Sequence, residues 1–161
     1  MKFRHELRYD AWPVEVFEML ADPAFREAVC EAMDVISADV QLDRDGDGVG
    51  FTLVIDQLQK TDDLPGFART FAGDSTQAIQ RETWTSATEG SLAIEAPGKP
   101  TSISGTIRLE ADGAGTKEIV ELEIKVKVPL IGGKLEKLMA EKVQSGMDAE
   151  RQVGQTWLKE H

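Results

Sequence analysis

The stretch Val128-Pro129-Leu130-Ile131-Gly132-Gly133 joins an alternating apolar run to a helical pattern that continues to the C-terminus. Upstream, Val120, Leu122, Ile124, Val126 and Val128 point one way and Glu121, Glu123, Lys125 and Lys127 the other. That is the period of a strand with one buried face. Downstream, a helix of roughly 27 residues reaches about 40 Å at ~1.5 Å per residue, enough to cross a small domain. Helical spacing places Leu135, Leu138, Met139, Lys142, Gly146, Ala149, Glu150, Val153 and Trp157 on one face. The apolar stripe is interrupted at its middle, where Lys142, Gly146 and Glu150 fall in line. A long helix laid over a curved sheet, with a gap under its centre, implies a container.

Gly146 inside a helix costs about 1 kcal/mol relative to Ala, so its value lies in the space it leaves. That space serves either close packing on a strand or a ligand. Lys142 and Glu150 sit one turn either side of it. Each either snorkels outward or turns inward, where a buried charge must find a partner. An inward Glu150 is a place to hold a polar ligand group.

The remaining elements follow from periodicity. Residues 2 to 9 alternate, with Phe3, His5, Leu7 and Tyr9 on the apolar face. Asp10 is a candidate cap and Pro13 suits the first turn of a short helix carrying Trp12, Val16, Phe17 and Leu20. Asp22-Pro23 starts a second, with Phe25, Val29, Cys30 and Met33 toward the inside. Ile36 to Leu42 and Val49 to Ile55 form a hairpin across the turn Asp43–Gly48. Residues 61 to 74 read as a short helix or ordered loop carrying Leu64, Phe67 and Phe71. Strands resume at about 76–86, 91–96, 101–110 and 117–128. The order is strand, two helices, six strands and one long helix, an α+β architecture with helices on one face of an antiparallel sheet. No linker or repeat divides it, so residues 1–161 are expected to form a single domain.

Composition narrows the function. A net charge of −11 opposes binding to nucleic acid, whose phosphates such a surface repels, and stable adsorption on anionic lipid. No run is apolar enough to span a membrane, and Met1–Asp10 lacks a signal-peptide core, so a cytoplasmic location is expected. Cys30 is the sole cysteine and reads as a buried thiol. Asp43-Arg44-Asp45-Gly46-Asp47-Gly48 imitates the start of a calcium loop, but Val54 stands where a bidentate Glu is required. Gly132-Gly133-Lys134 lacks the opening glycine and the hydroxyl of a phosphate loop. With two histidines, one of them terminal, neither a metal site nor a cofactor is implied. His5 remains either a core histidine or a polar group lining a cavity. Trp84 shares a face with Glu82 and Gln80, which fits a cavity wall or an exposed edge equally.

Several segments together resemble a known family. They are Leu64-Pro65-Gly66-Phe67, Phe71-Ala72-Gly73-Asp74, Glu82-Thr83-Trp84, Gly98-Lys99-Pro100, Ser104-Gly105-Thr106 and Leu109. Val128 to Glu136 and Thr156-Trp157-Leu158 complete the set. The chain resembles the helix-grip fold of the START-like (SRPBCC) superfamily, and more narrowly an uncharacterised actinobacterial domain-of-unknown-function family within it. The resemblance implies a seven-stranded curved antiparallel sheet wrapped around the long C-terminal helix, with two short helices between the first two strands. It implies no catalytic residues. Members of the superfamily bind apolar molecules between sheet and helix. The expected function is therefore binding of a hydrophobic small molecule (a lipid, isoprenoid or polyketide-like compound). The expected ligand-binding residues are His5, Phe67, Phe71, Trp84, Leu135, Met139, Gly146, Glu150 and Val153. A cyclase- or dehydratase-type enzyme using His5 or Glu150, and a protein-interaction or chaperone-like module, are the alternatives.

Overall fold

Alternation becomes seven strands in the computed structural model, which describes residues 1–161. They are β1 (Lys2–Tyr9), β2 (Ser37–Arg44), β3 (Phe51–Lys60), β4 (Ser75–Trp84), β5 (Glu89–Glu95), β6 (Thr101–Asp112) and β7 (Gly115–Val126). The helices are α1 (Pro13–Leu20), α2 (Pro23–Ala32), α3 (Gly66–Ala72) and α4 (Gly132–Glu160). All strand pairs are antiparallel in the order β1-β7-β6-β5-β4-β3-β2. Only the β1-to-β2 connection crosses between the sheet's edges, and α1 and α2 make that crossing. This is the curved seven-stranded sheet and long helix that the resemblance implied.

The inner face is set by the strand period. Register places Leu53, Glu82, Leu92, Gly105 and Leu122 in one row across five strands. A neighbouring row runs Phe51, Trp84, Gly90, Ile107 and Val120. At this end the core is solid. Trp84 stacks on Phe51 with centroids 5.7 Å apart, and Phe17 of α1 packs against both rings.

Local signals explain the helix starts. Asp22 caps α2, its Oδ1 accepting from the Ala24 N–H at 2.9 Å. The expected cap at Asp10 does not form. Trp12 occupies the cap position with extended backbone, and its side chain is exposed instead of joining the inner face. Pro13 pre-sets the first turn and removes one N–H that would otherwise need a partner. The 61–74 segment closes on itself: the buried Thr61 hydroxyl donates to the Gly73 carbonyl, and α3 forms between them.

Where α4 lies decides what stays open. It packs on β1 and β7, while α2 packs on α4 and β2. Close approach to β1 depends on Gly154. A Cβ there would lie 2.7 Å from Tyr9 Cε1 and 3.1 Å from Met19 Cε. Gly146 differs from its expected role as a bare notch. Met33, just after α2, reaches it, its Cε 3.2 Å from where a Cβ would stand. A flexible thioether adapts to such a gap better than a branched side chain.

The two glycines therefore respond oppositely to the same substitution. Gly154→Ala pushes on an aromatic ring held in the core and is expected to lose about 1–3 kcal/mol. Gly146→Ala displaces only the end of Met33 and gains helix propensity, so it is expected to be neutral or stabilising by up to about 1 kcal/mol. Urea unfolding of the two variants measures both.

Candidate functional site

Between α2, α4 and the inner face of the sheet lies a cavity of about 690 Å³. Apolar side chains make more than half of its lining, among them Ile55, Leu92, Ile94 and Ile103 from strands and Leu135 and Met139 from α4. Two ion pairs stand at its rim. Lys60 Nζ meets Asp34 Oδ2 at 2.7 Å, and Lys142 pairs with Asp63 in the β3–α3 connection. Lys142 thus turns outward, as long side chains at the edge of an apolar face do. Phe71 of α3 faces the cavity, with the Lys99 ammonium 5.8 Å over its ring.

Polar groups from separate elements converge in the same cavity. Arg26 of α2 is buried and donates from Nη1 and Nη2 to Glu82 of β4, at 3.1 and 3.0 Å. Its Nε donates to the Leu20 carbonyl at 2.8 Å. Glu82 also accepts from Trp84 Nε1 at 2.9 Å and from Gln80 Nε2 at 2.6 Å. Glu150 of α4 comes inward, its Oε1 3.7 Å from Arg26 Nη1. Glu118 of β7 is 3% exposed and lines the cavity, yet its Oε1 accepts no hydrogen bond. The buried Tyr9 hydroxyl of β1 is also without a partner.

One guanidinium thus serves three carboxylates out of water. Burial opposes the charge on Arg26, but Glu82 and then Glu150 outweigh it and hold its pKa above the ordinary value. Burial, reinforced by Glu150 and Glu82, pushes Glu118 well above the carboxylate range. For Glu150, burial raises the pKa, Arg26 pulls it back and Glu82 raises it again, leaving it at about 7. Tyr9 is raised by burial and then by Glu118 and Glu150. Burial is the first cause of both raised carboxyl values, and one guanidinium among three carboxyl groups does not offset it.

Five of the nine residues expected from sequence line this cavity: Phe71, Leu135, Met139, Gly146 and Glu150. Four do not. His5 Nε2 is bonded to Asp148 Oδ1 at 2.8 Å, tying β1 to α4 on the outside of the cavity. Phe67 is 40% exposed on α3, under the Lys134 ammonium. Trp84 belongs to the packed core, and Val153 packs against that core from α4. Sequence reasoning missed Arg26 and Glu118. The signal for Glu118 was present, since it continues the inward parity of Val120, Leu122 and Ile124.

A seven-stranded antiparallel sheet closed by a long C-terminal helix is the START-like fold. The chain belongs to the family described as "Protein of unknown function (DUF2505)", which matches residues 4–158. It is 25% identical over 162 residues to the uncharacterized protein Rv0481c of Mycobacterium tuberculosis, covering 96% of this chain and 87% of that one. Its fold is similar to that of a START superfamily protein from Mycobacterium smegmatis, with a TM-score of 0.60 and 16% identity over 96% of this chain and 98% of that one. It is also similar to the di-domain ARO/CYC StfQ from the steffimycin biosynthetic pathway. There the TM-score is 0.69 and the identity 11%, covering 99% of this chain and 50% of the di-domain. At these identities the structural likenesses establish the fold alone.

Two variants test the buried cluster. Arg26→Met leaves Glu82 charged and unpaired and is expected to cost about 3–5 kcal/mol. Adding Glu82→Gln is expected to recover more than half of that loss, read from denaturant unfolding. The second test uses pH. Glu150 has an ordinary value of 4.5 and a folded value of about 7, so the folded chain binds its proton more tightly. The stability this confers is full below about pH 4.5 and is lost as the pH rises through about 7. Glu150→Gln cannot ionise. Relative to wild type it is expected to gain on the order of 2 kcal/mol between pH 5 and pH 8.

Proposed function

We propose that this protein is a non-enzymatic carrier or sensor of a hydrophobic small molecule, held between the sheet and α4. The cavity carries the reading. At about 690 Å³ it falls within the range of small-molecule sites, and its apolar wall is interrupted by a few converging polar groups. Leu135, Met139 and Gly146 form the roof, and Phe71 stands near the rim pairs as part of a lid. A lipid, isoprenoid or polyketide-like compound suits such a wall. The likeness to a START superfamily protein supports the same class by analogy of fold.

A second reading is an acid–base enzyme working in the same cavity. Glu150, whose carboxyl titrates at about 7, is the observation that favours it. The ARO/CYC neighbour agrees at the level of fold.

Native mass spectrometry of the purified chain, followed by a lipid and metabolite screen read by melting temperature, tests the carrier reading. An apolar ligand is expected to co-purify or to raise the melting temperature. Ala149→Trp, which fills the cavity from α4, is expected to abolish that rise while leaving the circular dichroism unchanged. A chain that is always empty and answers to no apolar compound contradicts the proposal. Ligand returned with altered mass after incubation moves the assignment to the enzyme.

A further inference from the structure

The charged cluster constrains which hydrophobic molecule the cavity accepts. Arg26, Glu82, Glu118 and Glu150 all line the cavity. Arg26 is already committed: two of its nitrogens donate to Glu82, the third to the Leu20 carbonyl. Its Nη1 side also faces the Glu150 carboxyl at 3.7 Å, so an anionic head group would compete with two carboxyl groups already at the guanidinium. An incoming carboxylate would add a further negative charge to three carboxyl groups with one cation among them, out of water, where like charges repel most strongly. What the cluster lacks is positive charge, with one guanidinium among three carboxyl groups. Glu118 Oε1 is an acceptor without a donor, in a side chain 3% exposed to solvent. An unpaired buried acceptor costs about 1–3 kcal/mol, so a ligand that satisfies it recovers that cost on binding.

Resting on the carrier reading, we propose that the occupant is an amphiphile with a primary-amine head group, which donates to Glu118 and neutralises Glu150. A long-chain alcohol supplies the donor without the charge and ranks second. A fatty acid of the same length supplies neither and is rejected. The raised pKa values of Glu118 and Glu150 agree, since in the unliganded chain protons stand in for the missing cation. Selectivity therefore comes from Glu118 and Glu150 inside the cavity, beside the Arg26–Glu82 pair.

The test titrates the full chain with dodecylamine, dodecanol and dodecanoate, each below its aggregation threshold. Salt near 0.15 M screens the outer charge of −11 beyond about 8 Å. Dodecylamine is expected to bind at least about tenfold tighter than dodecanoate, with dodecanol between them. In Glu118→Gln and Glu150→Gln, both close in shape to the wild type, the amine preference is expected to shrink to threefold or less. Equal affinity for the three compounds, or a preference for dodecanoate, overturns the head-group assignment and leaves the carrier reading intact. An amine preference that survives in both Gln variants also overturns it, because attraction to the acidic exterior then explains the preference. Failure of all three compounds to bind overturns the head-group assignment, and the carrier reading is then decided by the lipid and metabolite screen. If a variant folds poorly, the wild-type series repeated at about 1 M salt makes the same separation: the amine preference is expected to persist, and its collapse overturns the assignment, since screening at about 3 Å removes attraction to the exterior.

Discussion

Arg26 is buried with its guanidinium against Glu82, and the surrounding architecture is arranged so that this charge survives there. Removing a guanidinium from water costs several kcal/mol, and only close carboxylates with well-formed hydrogen bonds offset it. Glu82 meets that need because β4 turns its even-numbered residues inward, with Trp84 and Gln80 donating further hydrogen bonds to its carboxylate. Once Glu82 and Arg26 are fixed, Glu118 and Glu150 are brought to the same place by β7 and α4. Neither has a second cation to pair with. The imbalance is built into the fold and gives the cavity its chemical character.

The cavity itself follows from how three helices divide the sheet. α4 lies toward β1 and β7, and it approaches β1 closely because Gly154 presents no side chain to Tyr9. α2 covers the β2 edge and reaches α4. The strands between them have inward apolar residues that neither helix touches fully. α3 lies along the remaining side, with Ala68 and Phe71 facing in. A core built this way is dense where Phe17, Phe51 and Trp84 meet and unfilled toward Phe71, so stability and binding capacity reside at different ends of the sheet.

Element order, the sequential hairpins and the placing of helices on one face of the sheet were legible in the sequence because period-two alternation and the long apolar stripe are local patterns. The pocket was legible only in outline. Glu150 and Gly146 stood out because they interrupt that stripe. Trp84 looked like a wall residue because Glu82 and Gln80 share its face. In fact those polar neighbours serve Arg26, which is 56 residues away from Glu82 in sequence and leaves no local trace of the pairing. His5 drew notice for its apolar strand face, but β1 is an edge strand, and there an inward histidine reaches Asp148 at the side of α4 instead of the interior. Met33 filling the space at Gly146 could not be read either, since it depends on where α2 ends over α4.

The most direct measurement is a crystal structure of the chain purified without detergent from its expression host. Elongated density is expected along Ile94, Ile103 and Met139, ending in a polar atom within hydrogen-bonding distance, about 3 Å, of Glu118. Density that is absent, with Met33 and Met139 swung inward to close the space and Glu118 bonded within the protein, would contradict that expectation.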